Sequence, residues 1–297
     1  MPKDDHLTAH SEPPDASEIK AWETLLDDED EQVFGALKER ILGFGDSVRP
    51  WLDDFRINAS GLAKKNCDRI RLIQLQSESE ASFLAYCLLP EDDFDLETAI
   101  WKFTATRYPE VREETYRKQL DQYAEIVRSR LNQTDSGHFK LRQLNTVLFE
   151  ELGFKGNTDD YYDPSNSYLN EVINKRTGLP ISLSLIYLFV AARVNIPVKG
   201  VAMPGHFLCR YETDHNIHFI DPFNQGQILS KTDCAQFLNR HYGEYRETFL
   251  NPSPKKQIVQ RVCANLHHYY SSHDDPEIAD RLRRYMVALE KDVSHQR

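Results

Sequence analysis

Several features that mark common protein classes are missing from this chain. No stretch approaches the ~20 uninterrupted apolar residues of a membrane-spanning helix. The longest apolar run, 181–192, is interrupted by Ser182, Ser184 and Tyr187. Positive charge is in deficit: 36 Lys and Arg face 47 Asp and Glu, for a net charge of −11. Phosphate backbones and anionic lipid surfaces demand a basic face, so neither nucleic acid nor membrane is an expected partner. The local basic group Arg281, Arg283 and Arg284 reads as a solvated helix face. Cysteine is sparse: five residues, an odd number, widely spaced and without a CxxC. That excludes a disulfide framework and a zinc-binding pattern, and suits reduced thiols in a cytoplasm. There is no Gly-rich phosphate loop and no metal-spaced cluster, so no cofactor is expected. His215 and His218 lack a third ligand at regular spacing and read as turn and strand surface. Residues 1–16 are polar, include Pro13 and Pro14, and show no basic start followed by an apolar block. They read as a disordered lead-in, not a secretory signal.

What is present is a chain of 297 residues with 40% hydrophobic content, suited to one large core or two modest ones. Residues 17–137 are helical in pattern. Trp22, Leu25, Leu26, Val33, Leu37, Ile41 and Leu42 recur at helical spacing. The string LLDDEDEQVFGALKERILGFGDSVRPWL resembles a single HEAT-type repeat, one copy where a solenoid needs about three. Further helices are predicted at 78–89 and 96–108, each followed by a proline, and at 112–131.

Residues 138–240 form a second zone. A helix at 141–152 closes at Gly153, a polar stretch follows, and a short helix covers 168–174. Gly178-Leu179-Pro180 then leads into an apolar helix at 181–193. Beyond it the period becomes alternating, which predicts strands at 198–202, 206–211 and 218–221, then a turn at Asn224 and Gly226 and a helix at 231–239. The third zone, 241–297, carries two helices broken near 271–276. They read equally as a tetratricopeptide-like hairpin or as core packing.

The second zone holds the candidate chemistry. Pro180 suits a first helical turn, which places Ser182 there, beside free backbone N–H groups and the positive end of the helix dipole. Such a place stabilises negative charge and activates a nucleophile. His206 and Asp221 fall on strands that a hairpin closing near Thr213-Asp214 would bring opposite one another, within reach of a His–carboxylate contact. A His oriented by an Asp is the base half of a nucleophilic triad. Cys209 is three residues from His206, but strand alternation points it to the other face.

The order of helix, strand, His-bearing strand and strand ending in Asp-Pro resembles the transglutaminase-like, or cysteine-protease-like, superfamily. The string DYYDPSNSYLNEVINKRTGLPISLSLIYLFVAARVNIPVKGVAMPGHFLCRY, followed by FIDPFNQG, is similar to its SirB-type branch of bacterial proteins, regulators without an assigned biochemical activity. The likeness covers about 96–239. It implies His206 and Asp221 as triad members and puts the nucleophile position at Ile181 or, with one residue of slack, Ser182. Neither is a thiol, so thioester chemistry is not carried over.

Each candidate also has a plainer reading. Ser182 reads as a cap or packing residue, with a nucleophile as the alternative. His206 reads either as a structural histidine held by Asp221 or as a base. Asn166, Asn170 and Arg176 read as loop and capping residues, or as the lining of a cleft above the helix start with an Asn amide as oxyanion donor. Phe223 reads as core or cleft wall. The Tyr161-Tyr162 pair reads as recognition surface or loop packing. The expected fold is α+β: a buried helix against a small antiparallel sheet, flanked by helical N- and C-terminal regions. The expected function is a non-catalytic protein- or peptide-binding regulator, with an amide hydrolase or acyltransferase using Ser182, His206 and Asp221 as the alternative.

Overall fold

The computed structural model describes residues 13–213 and 216–290. Residues 1–12 of the expected lead-in lie outside the described residues, as do Asp214 of the expected turn and His215 of the histidine pair. The chain divides into two compact units.

The first unit comprises the residues up to Glu80 with Thr106–Glu110. It is built from α1 (Ala16–Leu25), α2 (Glu31–Leu42), α3 (Arg49–Asn58) and the first part of α4 (Gly61–Cys87). Aspartates start the first two helices. The Asp15 carboxylate accepts from the Ser17 and Glu18 amides at 2.8 Å, and Asp30 accepts from Gln32 N at 2.8 Å. The apolar stripes of these helices meet in one core, including Trp22, Leu26, Phe34, Ile41, Leu52 and Ile70. The helix expected at 78–89 is the C-terminal part of α4. Between Gly61 and Pro90 there is no Gly or Pro to break it.

The second unit comprises Ala81–Ala105 and the chain from Val111 onward. It takes the end of α4, most of α5 (Leu96–Arg107), α6 (Glu113–Arg128) and α7 (Gly137–Asn145). A wide π turn at Thr146–Glu151 continues α7, and Gly153 ends the run at φ 73°. Next come β1 (Lys155–Gly156), α8 (Leu169–Lys175), β2 (Thr177–Gly178) and α9 (Pro180–Arg193). A four-stranded antiparallel sheet follows in the order β3 (Val198–Val201), β4 (Leu208–Glu212), β5 (Ile217–Asp221) and β6 (Gln227–Leu229). The last described elements are α10 (Lys231–Tyr242), α11 (Lys255–Ser272) and α12 (Pro276–Glu290).

Every residue of α9 from Pro180 to Ala191 is buried, as an all-round apolar helix requires. One face of the sheet packs on it: the Cys209 thiol lies 3.8 Å from Ser184 O. Side chains alternate along β4, so Leu208 faces the other way. There it packs with Phe219, with Cys234 and Leu238 of α10, and with Leu250. A third aromatic group, Phe83, Phe103 and Tyr285, joins α4, α5 and α12, with Phe83 and Tyr285 centroids 5.0 Å apart. The result is the α+β architecture expected, a buried helix on a small antiparallel sheet with helical flanks. Among the described residues no helix is long and apolar enough to cross a membrane.

The register differs from the expected one. Cys209 pairs with Ile220 and Glu212 with Ile217. Continued by one residue, that register sets Leu208 opposite Asp221. His206 lies before β4, so the two side chains meet on the diagonal. The parallel β1–β2 pair and β6 were not expected, because two or three residues are too few to show alternation.

Candidate functional site

The start of α9 is fixed by local chemistry. Leu179 is extended at the N-cap (φ −81°, ψ 166°) and Pro180 takes the first helical position. The Ser182 hydroxyl accepts from the Leu179 amide at 2.9 Å and donates to the Asn166 carbonyl at 2.6 Å, with Leu179 O at 3.2 Å. It is 1% exposed. A hydroxyl has one proton, and here a backbone carbonyl holds it. Gly178 must be glycine for this to happen: a Cβ there would come 2.7 Å from Ser182 Oγ and 2.9 Å from Val172 Cγ1.

Asp221 closes β5 and caps the turn that follows. Its Oδ1 accepts from Phe223 N at 3.1 Å and Asn224 N at 3.3 Å. Its Oδ2 accepts from Asn224 Nδ2 at 2.8 Å and lies 2.8 Å from His206 Nε2. Burial pushes this carboxyl up, but the His206 ring and the Asn224 donors outweigh it, and the net shift is downward. The ionised carboxylate is acceptor-only, so the His206 Nε2 hydrogen is donated to it. The ring is clamped. Phe223 stands edge-on at 6.3 Å and Phe237 is tilted against it at 6.1 Å. Gly205 turns the chain into His206 at φ 71°, and any side chain there would collide with the Tyr242 hydroxyl.

His206 lines a cleft of about 480 Å³. The start of α9 contributes Leu179, Pro180 and Ile181 to it, and the 161–167 loop contributes Tyr161 and Tyr162. Ile181, not Ser182, shares the cleft with His206. The helix start therefore offers the imidazole an alkyl group. Asn166 is spent elsewhere: its amide nitrogen donates to Asp160 O at 2.8 Å and its oxygen accepts from Asn157 at 3.0 Å. Asn170 donates to Glu171 at 3.2 Å, and the Arg176 guanidinium lies over the Tyr123 and Phe154 rings at 4.9 and 4.7 Å. Neither Asn166, Asn170 nor Arg176 lines the cleft. Phe223 packs behind His206 and against Gly156, whose absent Cβ would strike its ring.

The thiols are chemically unsuited to attack. All five are free and buried. Burial pushes Cys67 up to about 11 and Cys87 and Cys234 up to about 12, and it raises Cys209 and Cys263 as well. Such thiols are not nucleophiles at neutral pH. Among the described residues no group of three or more His, Cys, Asp or Glu side chains could hold a metal ion.

One wall of the cleft escaped the sequence reading. Arg261, Asn265, His268 and Tyr269 of α11 line it, joined by Tyr242 at the end of α10. The first three follow i, i+4 and i+7, the spacing of one helix face, and that periodicity was available in the sequence.

A profile of the transglutaminase-like superfamily matches residues 114–264, the span that contains the sheet, α9 and most of α11. A protein of Xylella fastidiosa strain Temecula1 named UPF0162 protein is 39% identical over 188 residues, covering 61% of this chain and 67% of that one. A UPF0162 protein of Pseudomonas aeruginosa is 29% identical over 207 residues, 68% of this chain and 74% of its own. Mouse F-box only protein 21 is 35% identical over 134 residues, which is 42% of this chain but 21% of that protein. No solved structure matches.

Proposed function

The chain belongs to the transglutaminase-like superfamily, and from that premise we propose that it is a non-catalytic member, of the SirB-type branch, whose cleft binds a protein or peptide segment in a regulatory role. The observation that carries the reading is the position facing His206. There the superfamily fold calls for a nucleophile, and Ile181 lines the cleft instead. An alkyl side chain can pack a ligand but cannot attack one. The His206–Asp221 pair then serves to hold the cleft wall. Support for a modular role comes from mouse F-box only protein 21, in which the matched part is 21% of the protein. The reading extends to a bacterial, cytoplasmic protein, in line with the bacterial relatives and the buried free thiols.

The competing reading, an amide hydrolase or acyltransferase on Ser182, His206 and Asp221, needs the Ser182 proton to pass to His206. Its present bond to Asn166 O opposes that. The test is labelling with a fluorophosphonate probe, comparing the native protein with Ser182→Ala and His206→Ala. The binding reading expects no labelling in any of them. Labelling of the native protein that disappears in both variants would establish the hydrolase.

A further inference from the structure

The α11 wall places a cationic side chain and two further polar ones along one edge of the cleft. Arg261 is half-buried, lines the cleft, and forms no ion pair or hydrogen bond among the described residues. In a chain with 47 acidic side chains, an arginine left unpaired inside a concavity is unusual chemistry. Asn265 and His268, on the same helix face, likewise have no side-chain hydrogen-bond partner among the described residues. One carboxylate belongs to the described lining, Asp163. It is already engaged by the Ser165 amide at 2.8 Å and the Ser165 hydroxyl at 2.5 Å, with Lys175 at 3.8 Å. Apart from Ser167 and His206, the remaining lining is mainly aromatic and aliphatic and includes Tyr161, Tyr162, Tyr242, Tyr269, Ile181 and Leu179.

From this distribution we infer that the Arg261–Asn265–His268 face is a carboxylate-binding subsite, so that the cleft takes a peptide segment bearing an acidic side chain or a free C-terminus. The inference rests on the binding reading and names its ligand chemistry. A planar guanidinium matches a carboxylate in bidentate fashion. Asn265, one turn further along the helix, has an amide N–H for the same anion, and His268 extends the donor row. The four tyrosines supply flat apolar surface for the side chains on either side, with little rotamer entropy to lose. Charge complementarity selects the occupant: the one carboxylate of the described lining, Asp163, is bonded to Ser165 and near Lys175, and the Arg261 guanidinium attracts an anionic ligand locally.

The test uses the full chain, immobilised, and four pools of random octapeptides. Two pools contain Asp and Glu at the randomised positions, and two contain Asn and Gln in their place. Each kind is made with a free C-terminus and with a C-terminal amide. Retained peptides are read by mass spectrometry on the native protein, Arg261→Gln and Arg261→Lys, with folding of each variant checked by thermal melting. The subsite requires the native protein to enrich carboxylate-bearing peptides over their amide counterparts by roughly tenfold, the scale of a charge-assisted hydrogen-bonded pair. Arg261→Gln should abolish the enrichment, and Arg261→Lys should keep part of it. Enrichment confined to the acidic-residue pools names a side-chain carboxylate, and enrichment confined to the free-terminus pools names a C-terminus. Equal retention of acid and amide pools overturns the subsite while peptide binding stands. Retention of no pool overturns both.

Discussion

The two walls of the cleft spend their polar groups in opposite ways. On the sheet side the Asp221 and Ser182 side chains are committed: Asp221 takes four donors, one of them His206 Nε2, and Ser182 ties Leu179 to Asn166. On the α11 side Arg261, Asn265 and His268 have no such partners among the described residues. A saturated wall is a structural device, since removing any member strands a buried group. An unsaturated wall is available to a ligand. The difference separates what the fold needs from what a partner would use, and it explains how a triad-like pair can persist beside an isoleucine.

Substitution on the two walls should therefore have unequal costs. Asp221→Ala removes the anchor of His206 and the cap on Phe223 N and Asn224 N together. It should lower unfolding free energy by about 2–4 kcal/mol in urea denaturation. Ser182→Ala leaves the buried Leu179 amide without its acceptor and should cost about 1–3 kcal/mol, with peptide retention unchanged. Arg261→Gln breaks no hydrogen bond or ion pair among the described residues and should stay within about 0.5 kcal/mol of the native protein while losing carboxylate retention. A large stability loss at Arg261, or none at Asp221, would erase the distinction between the walls.

Acid sharpens the same contrast. The Asp221 carboxyl is lowered in the folded state because His206 and Asn224 outweigh its burial. A depressed folded pKa gives stability that is full above the unfolded value of about 3.9 and lost as pH falls through the folded value. The stability gap between the native protein and Asp221→Asn should thus shrink as pH falls below about 4. The gap for Arg261→Gln should show no such dependence.

The buried helix, the meander of strands and the order of His206 and Asp221 were legible in the sequence because each is written in local periodicity: α9 in its unbroken apolar run, β4 and β5 in their alternation. Two things were not. The diagonal meeting of His206 with Asp221 depends on where β4 begins, and Pro204-Gly205 delays it to Leu208. The direction of Ser182 depends on Gly178 and Asn166, which touch it only in three dimensions. The α11 wall was legible as a helix but not as a cleft face, because periodicity identifies a face without naming what it faces. Asn166, Asn170 and Arg176 are near the helix start in sequence and lie outside the lining of the cleft.

The most direct measurement asks which side chain of the α9 first turn faces His206. Ile181→Cys and Ser182→Cys variants would be compared by the rate of iodoacetamide alkylation at about pH 6, where an ordinary thiol with a pKa near 8.5 is almost wholly protonated. An introduced thiol at 181 should react far faster than any native cysteine and should slow by at least about tenfold when His206→Ala is added, while a thiol at 182 stays inert. Rapid, His206-dependent alkylation at 182 with silence at 181 would contradict the arrangement and restore Ser182 as the reactive position.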